Sequence, residues 1–233
     1  MHDPAYEQRR GEVEHYFDRQ AAHKWAQMTS NSPLNRIRQT VREGRDRMRS
    51  TLLSWLPADL AGQSLFDAGC GPAMLSIEAA RRGADVVGVD LSRTLIDVGV
   101  ERATGEVLKG SLELKVGDAF APVYGDFDHI VAMDCLIHYD LNDTVRVLAN
   151  WAPHVRGSIV FTYAPRTPLL ATMHVIGKLF PKSDRSPRII PLAEERFHEA
   201  IRNEPGLKGW KIGRTARVVK GFYISQALEL LPK

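Results

Sequence analysis

Ser64-Leu-Phe-Asp67-Ala-Gly69-Cys-Gly71-Pro72 is the stretch of sequence that decides the fold. A short apolar run ends here in a glycine-rich turn, and a helical pattern over 74–82 follows directly. Glycines between a strand and a helix let backbone N–H groups approach a ligand closely at the helix N-terminus. The stretch therefore predicts a strand, a ligand-binding loop and a helix, in that order.

The alternation of strand and helix continues toward the C-terminus. Short apolar runs predict further strands at 85–90, 112–116, 127–133, 158–163, 210–219 and 222–225. Helical patterns occur at 92–102, 140–150, 169–180 and 192–203. Alternation at this spacing is typical of an α/β protein with a parallel sheet and helices on both faces.

Two helical patterns precede the first strand. Residues 3–27 read as a polar helix, and residues 34–56 as a second helix. The side of the second helix that we expect to be exposed is rich in arginine: Arg36, Arg38, Arg42, Arg45, Arg47 and Arg49. We predict an N-terminal helical arm over 1–56, which either closes over the site as a lid or docks on the sheet edge. A Rossmann-like domain over 57–233 follows, with a substrate-binding insertion at about 164–205.

Composition excludes several classes of protein. The 233 residues suffice for one sizeable domain, and 44% hydrophobic with 25% charged residues excludes general disorder. We find no secretory signal pattern and no uncharged apolar run of the about 18 residues that span a membrane. Two cysteines without a CxxC motif favour a reducing compartment. An acidic middle (51–155) precedes a basic C-terminal third, which suggests an anionic substrate, a lipid surface or nucleic acid.

Three aspartates lie at or just after the ends of three predicted strands. Asp67, two residues before the first glycine, suits a ligand that carries a positive amino group. Asp90 ends the second strand, where a carboxylate can accept both hydroxyls of a ribose. Asp118 follows the third strand and can reach an adenine amino group. Met74 occupies the place where a dinucleotide loop needs a small residue, which disfavours a nicotinamide cofactor.

These features resemble the class I S-adenosylmethionine-dependent methyltransferases over about residues 60–163. The resemblance implies a Rossmann-like, mostly parallel sheet of seven strands with an antiparallel last hairpin, and S-adenosylmethionine as the cofactor. The residues expected to bind this cofactor are Asp67, Gly69, Gly71, Asp90, Leu91, Asp118, Ala119 and Met133.

The segment after the fourth strand narrows the resemblance. Amino methyltransferases often carry Asn/Asp-Pro-Pro-Tyr there, whereas this chain has Leu136-Ile-His138-Tyr139. With this segment and further motifs spread over nearly its whole length, the chain resembles the family of magnesium-protoporphyrin O-methyltransferases. Those motifs are His15-Tyr16-Phe17, Phe161-Thr-Tyr-Ala-Pro165, Gly177-Lys-Leu-Phe-Pro181 and Gly221-Phe-Tyr-Ile-Ser225. The family methylates one propionate carboxylate of Mg-protoporphyrin IX, giving the monomethyl ester of chlorophyll and bacteriochlorophyll synthesis.

The resemblance also implies roles for individual residues. A propionate is already ionised near neutral pH, so it needs orientation rather than a general base. We expect His138 to position this carboxylate, with a helix cap as the alternative, and Tyr139 to donate a second hydrogen bond or to pack in the core. The expected substrate contacts are Tyr16, Phe17, Trp25, Arg166, Met173 and Phe180. Magnesium is expected only as part of the porphyrin, with no metal bound by the protein itself.

Rival functions stay open at this point. The basic flanks also suit another small-molecule or RNA methyltransferase, and an intact cofactor loop also suits a non-catalytic scaffold. The family is associated with two further partners, the porphyrin-carrying subunit of magnesium chelatase and the photosynthetic membrane surface, and no nucleic acid is expected. The expected location is the cytoplasm, with peripheral attachment to that membrane.

Overall fold

A seven-stranded sheet forms the centre of the computed structural model, which describes residues 4–16, 36–121, 124–166 and 189–233. The strands are β1 Ser64–Ala68, β2 Asp85–Asp90, β3 Leu112–Val116, β4 Phe127–Ala132, β5 Val155–Tyr163, β6 Trp210–Lys220 and β7 Tyr223–Pro232. The helices are α1 Pro4–His15, α2 Arg36–Trp55, α3 Met74–Arg81, α4 Arg93–Ala103, α5 Leu141–Trp151 and α6 Glu194–Asn203. The helix predicted at 169–180 lies outside the described residues.

Strand order in the sheet is β3-β2-β1-β4-β5-β7-β6. β1 to β5 pair in parallel, and β7 lies antiparallel between β5 and β6. The predicted parallel sheet with a closing antiparallel hairpin is therefore confirmed. The strand order reverses between β1 and β4, and such a reversal opens a crevice at the carboxyl ends of the strands.

The last strand is longer than the predicted 222–225. β7 continues to Pro232, although Gln226 and Glu229 interrupt its apolar pattern. Both side chains are buried and find partners on β6: Gln226 donates to Thr215 Oγ1 at 2.6 Å, and Glu229 pairs with Arg214. A polar residue that is paired across a hairpin can thus stay inside a strand.

Two apolar layers pack on the two faces of the sheet. Leu65, Val131 and Val160 join the cluster formed with α2 and α3, whereas Phe66 and Ile130 join the cluster formed with α5 and α6. Neighbouring residues of one strand reach opposite layers because side chains alternate along a strand. Among the described helices, none is both long and apolar enough to cross a membrane.

Helix α2 approaches the sheet most closely at Gly44. A Cβ atom there would stand 2.6 Å from Cδ1 of Tyr223 on β7. We expect Gly44→Ala to lower the free energy of unfolding by about 1–3 kcal/mol, because overpacking outweighs alanine's helix preference. Gly11→Ala in α1 is the control, since its Cβ would meet nothing within 4 Å and should be neutral or stabilising. Urea denaturation measures both, and equal stability of the two variants would contradict the prediction.

Candidate active site

A pocket opens at the carboxyl ends of β1, β2 and β4, at the reversal of strand order. Its lining includes all ten residues predicted for the cofactor and for catalysis: Asp67, Gly69, Gly71, Asp90, Leu91, Asp118, Ala119, Met133, His138 and Tyr139. They lie together because each follows or ends a parallel strand, and those strand ends meet at one edge of the sheet. Their individual roles stay predictions.

The glycine loop is held tightly between β1 and β2. The backbone N–H groups of Gly69 and Cys70 donate to the carbonyl oxygen of Val89 at 2.8 and 3.1 Å. Gly69 has a φ of 71°, and a Cβ atom there would stand 2.5 Å from Cβ of Cys135. Backbone conformation and space therefore both require glycine at this position.

Asp90 joins the loop to the rest of the pocket. Its Oδ2 accepts a hydrogen bond from the N–H of Gly71 at 2.9 Å, and its Oδ1 accepts one from the N–H of Ser92, also at 2.9 Å. Burial raises the pKa of this carboxyl group. Each carboxylate oxygen can accept one further hydrogen bond. Asp90 can therefore bind two hydroxyl groups while it holds the loop.

Asp67 lies deeper in the same pocket. The residue is 2% exposed, and its carboxyl group accepts a hydrogen bond from Ser76 Oγ at 2.5 Å. Burial raises its pKa to about 7, against the hydrogen bond from Ser76, and the nearby charge of Asp90 adds to the rise. A carboxyl group with such a raised pKa is readily protonated near neutral pH, whereas a positively charged ligand would favour its ionised form.

Helix α1, near the N-terminus of the chain, also contacts the pocket. Arg10 Nη1 donates to Oδ2 of Asp118 at 3.3 Å, and Arg9 Nη1 donates to the carbonyl oxygen of His138 at 3.2 Å. Val13 is buried and lines the pocket. Part of the predicted arm thus forms a wall of the site, although the domain boundary at residue 56 stays a prediction.

A turn with a left-handed residue follows β4 and carries His138. Asp134 has a φ of 58°, a conformation that aspartate tolerates better than most residues. Its carboxylate accepts hydrogen bonds from Tyr223 Oη at 3.0 Å and Ser225 Oγ at 3.4 Å, and it pairs with Arg45 at 3.1 Å. Sequence reasoning missed this anchor, because its partners come from distant parts of the chain.

His138 and Tyr139 end this turn at the pocket wall. His138 is 5% exposed and Tyr139 is 3% exposed. The alternative role of His138 as a helix cap is wrong, because the side chain of Asp140 caps α5 by accepting from the N–H of Asp143 at 3.0 Å. Tyr139 packs edge-on against Phe120 with ring centroids 4.9 Å apart, and burial raises its pKa, so it stays a hydrogen-bond donor.

The predicted solvent-exposed arginine side of α2 is wrong in part. Arg42, Arg45 and Arg49 line the pocket, whereas Arg47 is exposed and absent from its lining. A helical pattern shows which side of a helix is polar, but it does not distinguish bulk water from a polar cavity.

The predicted substrate contacts are only partly described. Phe17, Trp25, Met173 and Phe180 lie outside the described residues. Tyr16 is half-buried and Arg166 is exposed, and neither belongs to the described lining of the pocket. In the described part of the chain, no cluster of three His, Cys, Asp or Glu side chains could hold a metal ion.

This sheet order, with a glycine loop after β1 and acidic residues at the ends of β2 and β3, defines a class I S-adenosylmethionine-dependent methyltransferase. A general methyltransferase-domain family model matches residues 65–157, and the magnesium-protoporphyrin IX methyltransferase C-terminus model matches residues 132–232. The magnesium-protoporphyrin O-methyltransferase of Rhodobacter capsulatus is 47% identical over 228 residues, 97% of this chain and 98% of that protein. The chain therefore belongs to the magnesium-protoporphyrin O-methyltransferase family.

Solved structures agree with this assignment. The crystal structure of magnesium protoporphyrin IX methyltransferase from Synechocystis with bound S-adenosylhomocysteine superposes with a TM-score of 0.82 at 27% identity. The alignment covers 95% of this chain and 98% of that chain. The chloroplastic magnesium protoporphyrin IX methyltransferase of Arabidopsis thaliana is 28% identical over 94% of this chain and 70% of its own length. The fold and family expected from the sequence are confirmed.

Proposed function

We propose that this chain transfers a methyl group from S-adenosylmethionine to a propionate carboxylate of Mg-protoporphyrin IX, giving the monomethyl ester. The observation that carries the proposal is the pocket that joins the acidic strand ends with His138 and the arginines of α2. The relative at 47% identity, which is named for this activity, supports the same substrate.

The residues of the pocket suit this chemistry. The cofactor supplies an electrophilic methyl group, and a carboxylate oxygen displaces the thioether, so a C–O bond forms as the C–S bond breaks. No proton has to be removed, and orientation of the two reactants carries most of the catalysis. In this proposal Asp67 faces the amino group of the cofactor, Asp90 the ribose and Asp118 the adenine. His138 orients the propionate, and Tyr139 can donate a second hydrogen bond.

A labelling assay tests the proposed function. The full chain is incubated with S-adenosylmethionine labelled in the methyl group and with Mg-protoporphyrin IX. Label in a porphyrin ester that base hydrolyses is the expected result. Binding of S-adenosylhomocysteine without labelling of the porphyrin would contradict the proposal. That result would favour another small molecule or RNA as the methyl acceptor.

Attachment to a membrane surface, handover from the magnesium chelatase and a cytoplasmic location are further parts of this proposal. The tip of the β6–β7 hairpin supports the first, because Val219 and Phe222 are 49% and 47% exposed beside Lys220. Apolar and basic side chains together suit an anionic lipid surface. Flotation with anionic vesicles, compared between the parent chain and Phe222→Ser, measures this attachment, and equal flotation would argue against the hairpin.

The raised pKa of Asp67 makes cofactor binding depend on pH. Asp67, with a pKa of about 7, is mostly protonated below neutral pH, whereas the ammonium group of the ligand favours the carboxylate. Binding therefore releases a proton below about pH 7, and we expect affinity for S-adenosylhomocysteine to rise by up to about tenfold per pH unit until that pH. Calorimetry in buffers of different protonation enthalpy measures the release. Asp67→Asn should bind weakly with little pH dependence; if it keeps the slope, another group is responsible.

A further inference from the structure

Helix α2 contributes a second group of charges to the pocket. Arg42 Nε lies 3.9 Å from Oδ2 of Asp46, and Arg49 Nη2 lies 2.8 Å from its Oδ1. Arg45 pairs separately with Asp134 at 3.1 Å. All five side chains line the pocket, so one carboxylate lies between two guanidinium groups, Arg42 and Arg49, on this wall.

The charges of the pocket are divided between two sides. The carboxyl groups of Asp67, Asp90 and Asp118 lie at the ends of β1 and β2 and just after β3. In the proposed function they face the amino group, the ribose and the adenine of the cofactor. The Arg42–Asp46–Arg49 group on α2 carries an excess of positive charge instead. The arginine side chains of this group are 28% and 20% exposed, so water screens them only in part. This side of the pocket therefore favours an anion.

We propose that Arg42 and Arg49, both paired with Asp46, form a subsite for the propionate of the porphyrin that is not methylated. The proposal rests on the proposed function and deepens it. Mg-protoporphyrin IX carries two propionates, and while one is oriented by His138 the other also needs a counter-charge. Guanidinium groups are permanent cations that bind carboxylates in a bidentate geometry. The monomethyl ester keeps this second carboxylate, so the subsite would also determine which propionate escapes methylation.

Substitution of both arginines tests the subsite. We expect R42Q/R49Q to raise KM for Mg-protoporphyrin IX roughly 10- to 100-fold, because charge-assisted hydrogen bonds are lost. The affinity for S-adenosylhomocysteine should stay within about threefold of the parent value, because sites that share no partners act almost independently. R47Q is the matched control, because Arg47 is exposed on the same helix and does not line the pocket. R42K/R49K keeps the charge but loses the bidentate geometry, and should recover part of the loss.

A porphyrin with one charge removed provides a second measurement. The analogue is a Mg-porphyrin in which the propionate that is not methylated is replaced by a neutral amide. The parent chain should have a lower KM for the diacid than for the amide, whereas R42Q/R49Q should have similar KM values for the two porphyrins. An equal preference in both proteins would overturn the proposal.

The outcomes separate the two proposals. If the parent chain labels Mg-protoporphyrin IX but R42Q/R49Q has an unchanged KM, only the subsite is wrong. If R42Q/R49Q weakens binding of S-adenosylhomocysteine as much as it raises KM, the arginines bind the carboxylate of the cofactor and the subsite is again wrong. If the parent chain labels no Mg-porphyrin, the proposed function fails and the subsite fails with it.

Discussion

His138→Ala is expected to lower kcat for methylation of Mg-protoporphyrin IX about 100- to 1000-fold. The imidazole is buried at the pocket wall, at the end of a turn that Asp134 anchors. In the proposed mechanism, an imidazole fixed in this way orients one carboxylate oxygen without first having to be ordered. Its removal would leave the propionate free to rotate away from the line of attack, which would raise the barrier of the chemical step.

The cofactor side of the pocket should be nearly unaffected by this substitution. Among the described residues, Asp90 accepts hydrogen bonds from Gly71 and Ser92, and His138 is not one of these donors. We therefore expect S-adenosylhomocysteine to bind His138→Ala with about the affinity of the parent chain, which also shows that the variant is folded. His138→Gln retains an N–H donor and should keep part of the activity. His154→Ala, at an exposed side-chain contact with Asp126 of 2.9 Å, is the control.

A kcat within about tenfold of the parent value in His138→Ala would contradict this role. The loss should also appear in single-turnover rates, because KM and kcat alone do not separate chemistry from product release. A loss confined to KM would mean that His138 only contributes to binding of the porphyrin.

Local patterns predicted the sheet and the cofactor side of the pocket because that information lies in short stretches of the chain. Gly69, Gly71 and Asp90 each follow or end an apolar run, and parallel strands bring such ends together. The Asp134 anchor is different, since Tyr223 follows it by 89 residues. A contact over that distance depends on how β4 and β7 are placed in the sheet, which no local pattern records.

The arginines of α2 are a second case in which local sequence does not show what surrounds a side chain. Their spacing identifies a polar side of the helix, and this part of the prediction holds. Which surface covers that side depends on how α2 docks, and docking is determined by buried residues such as Met48, Leu52 and Gly44 that pack against the sheet. The charged side of α2 therefore lies over the pocket, and the prediction that this whole side faces solvent is wrong in part.

Asp90→Ala is expected to weaken binding of S-adenosylmethionine and S-adenosylhomocysteine about 100-fold or more. If Asp90 binds the ribose as proposed, the substitution removes two hydrogen bonds to it, each worth about 1.5–3 kcal/mol when one partner is charged. The substitution would also release the N–H groups of Gly71 and Ser92, each of which lies 2.9 Å from a carboxylate oxygen. The fold should survive, because burial raises the pKa of Asp90 and a neutral side chain avoids that cost.

Calorimetry with S-adenosylhomocysteine measures the loss in Asp90→Ala, and thermal unfolding without ligand checks the fold. Asp97→Ala is the matched control, because Asp97 is exposed on the neighbouring helix α4 and does not line the pocket. Asp90→Asn keeps the shape and one acceptor oxygen, so it should bind with intermediate affinity. An affinity of Asp90→Ala within about fivefold of the parent value would show that the ribose lies elsewhere, because the loss of even one charged hydrogen bond costs about tenfold.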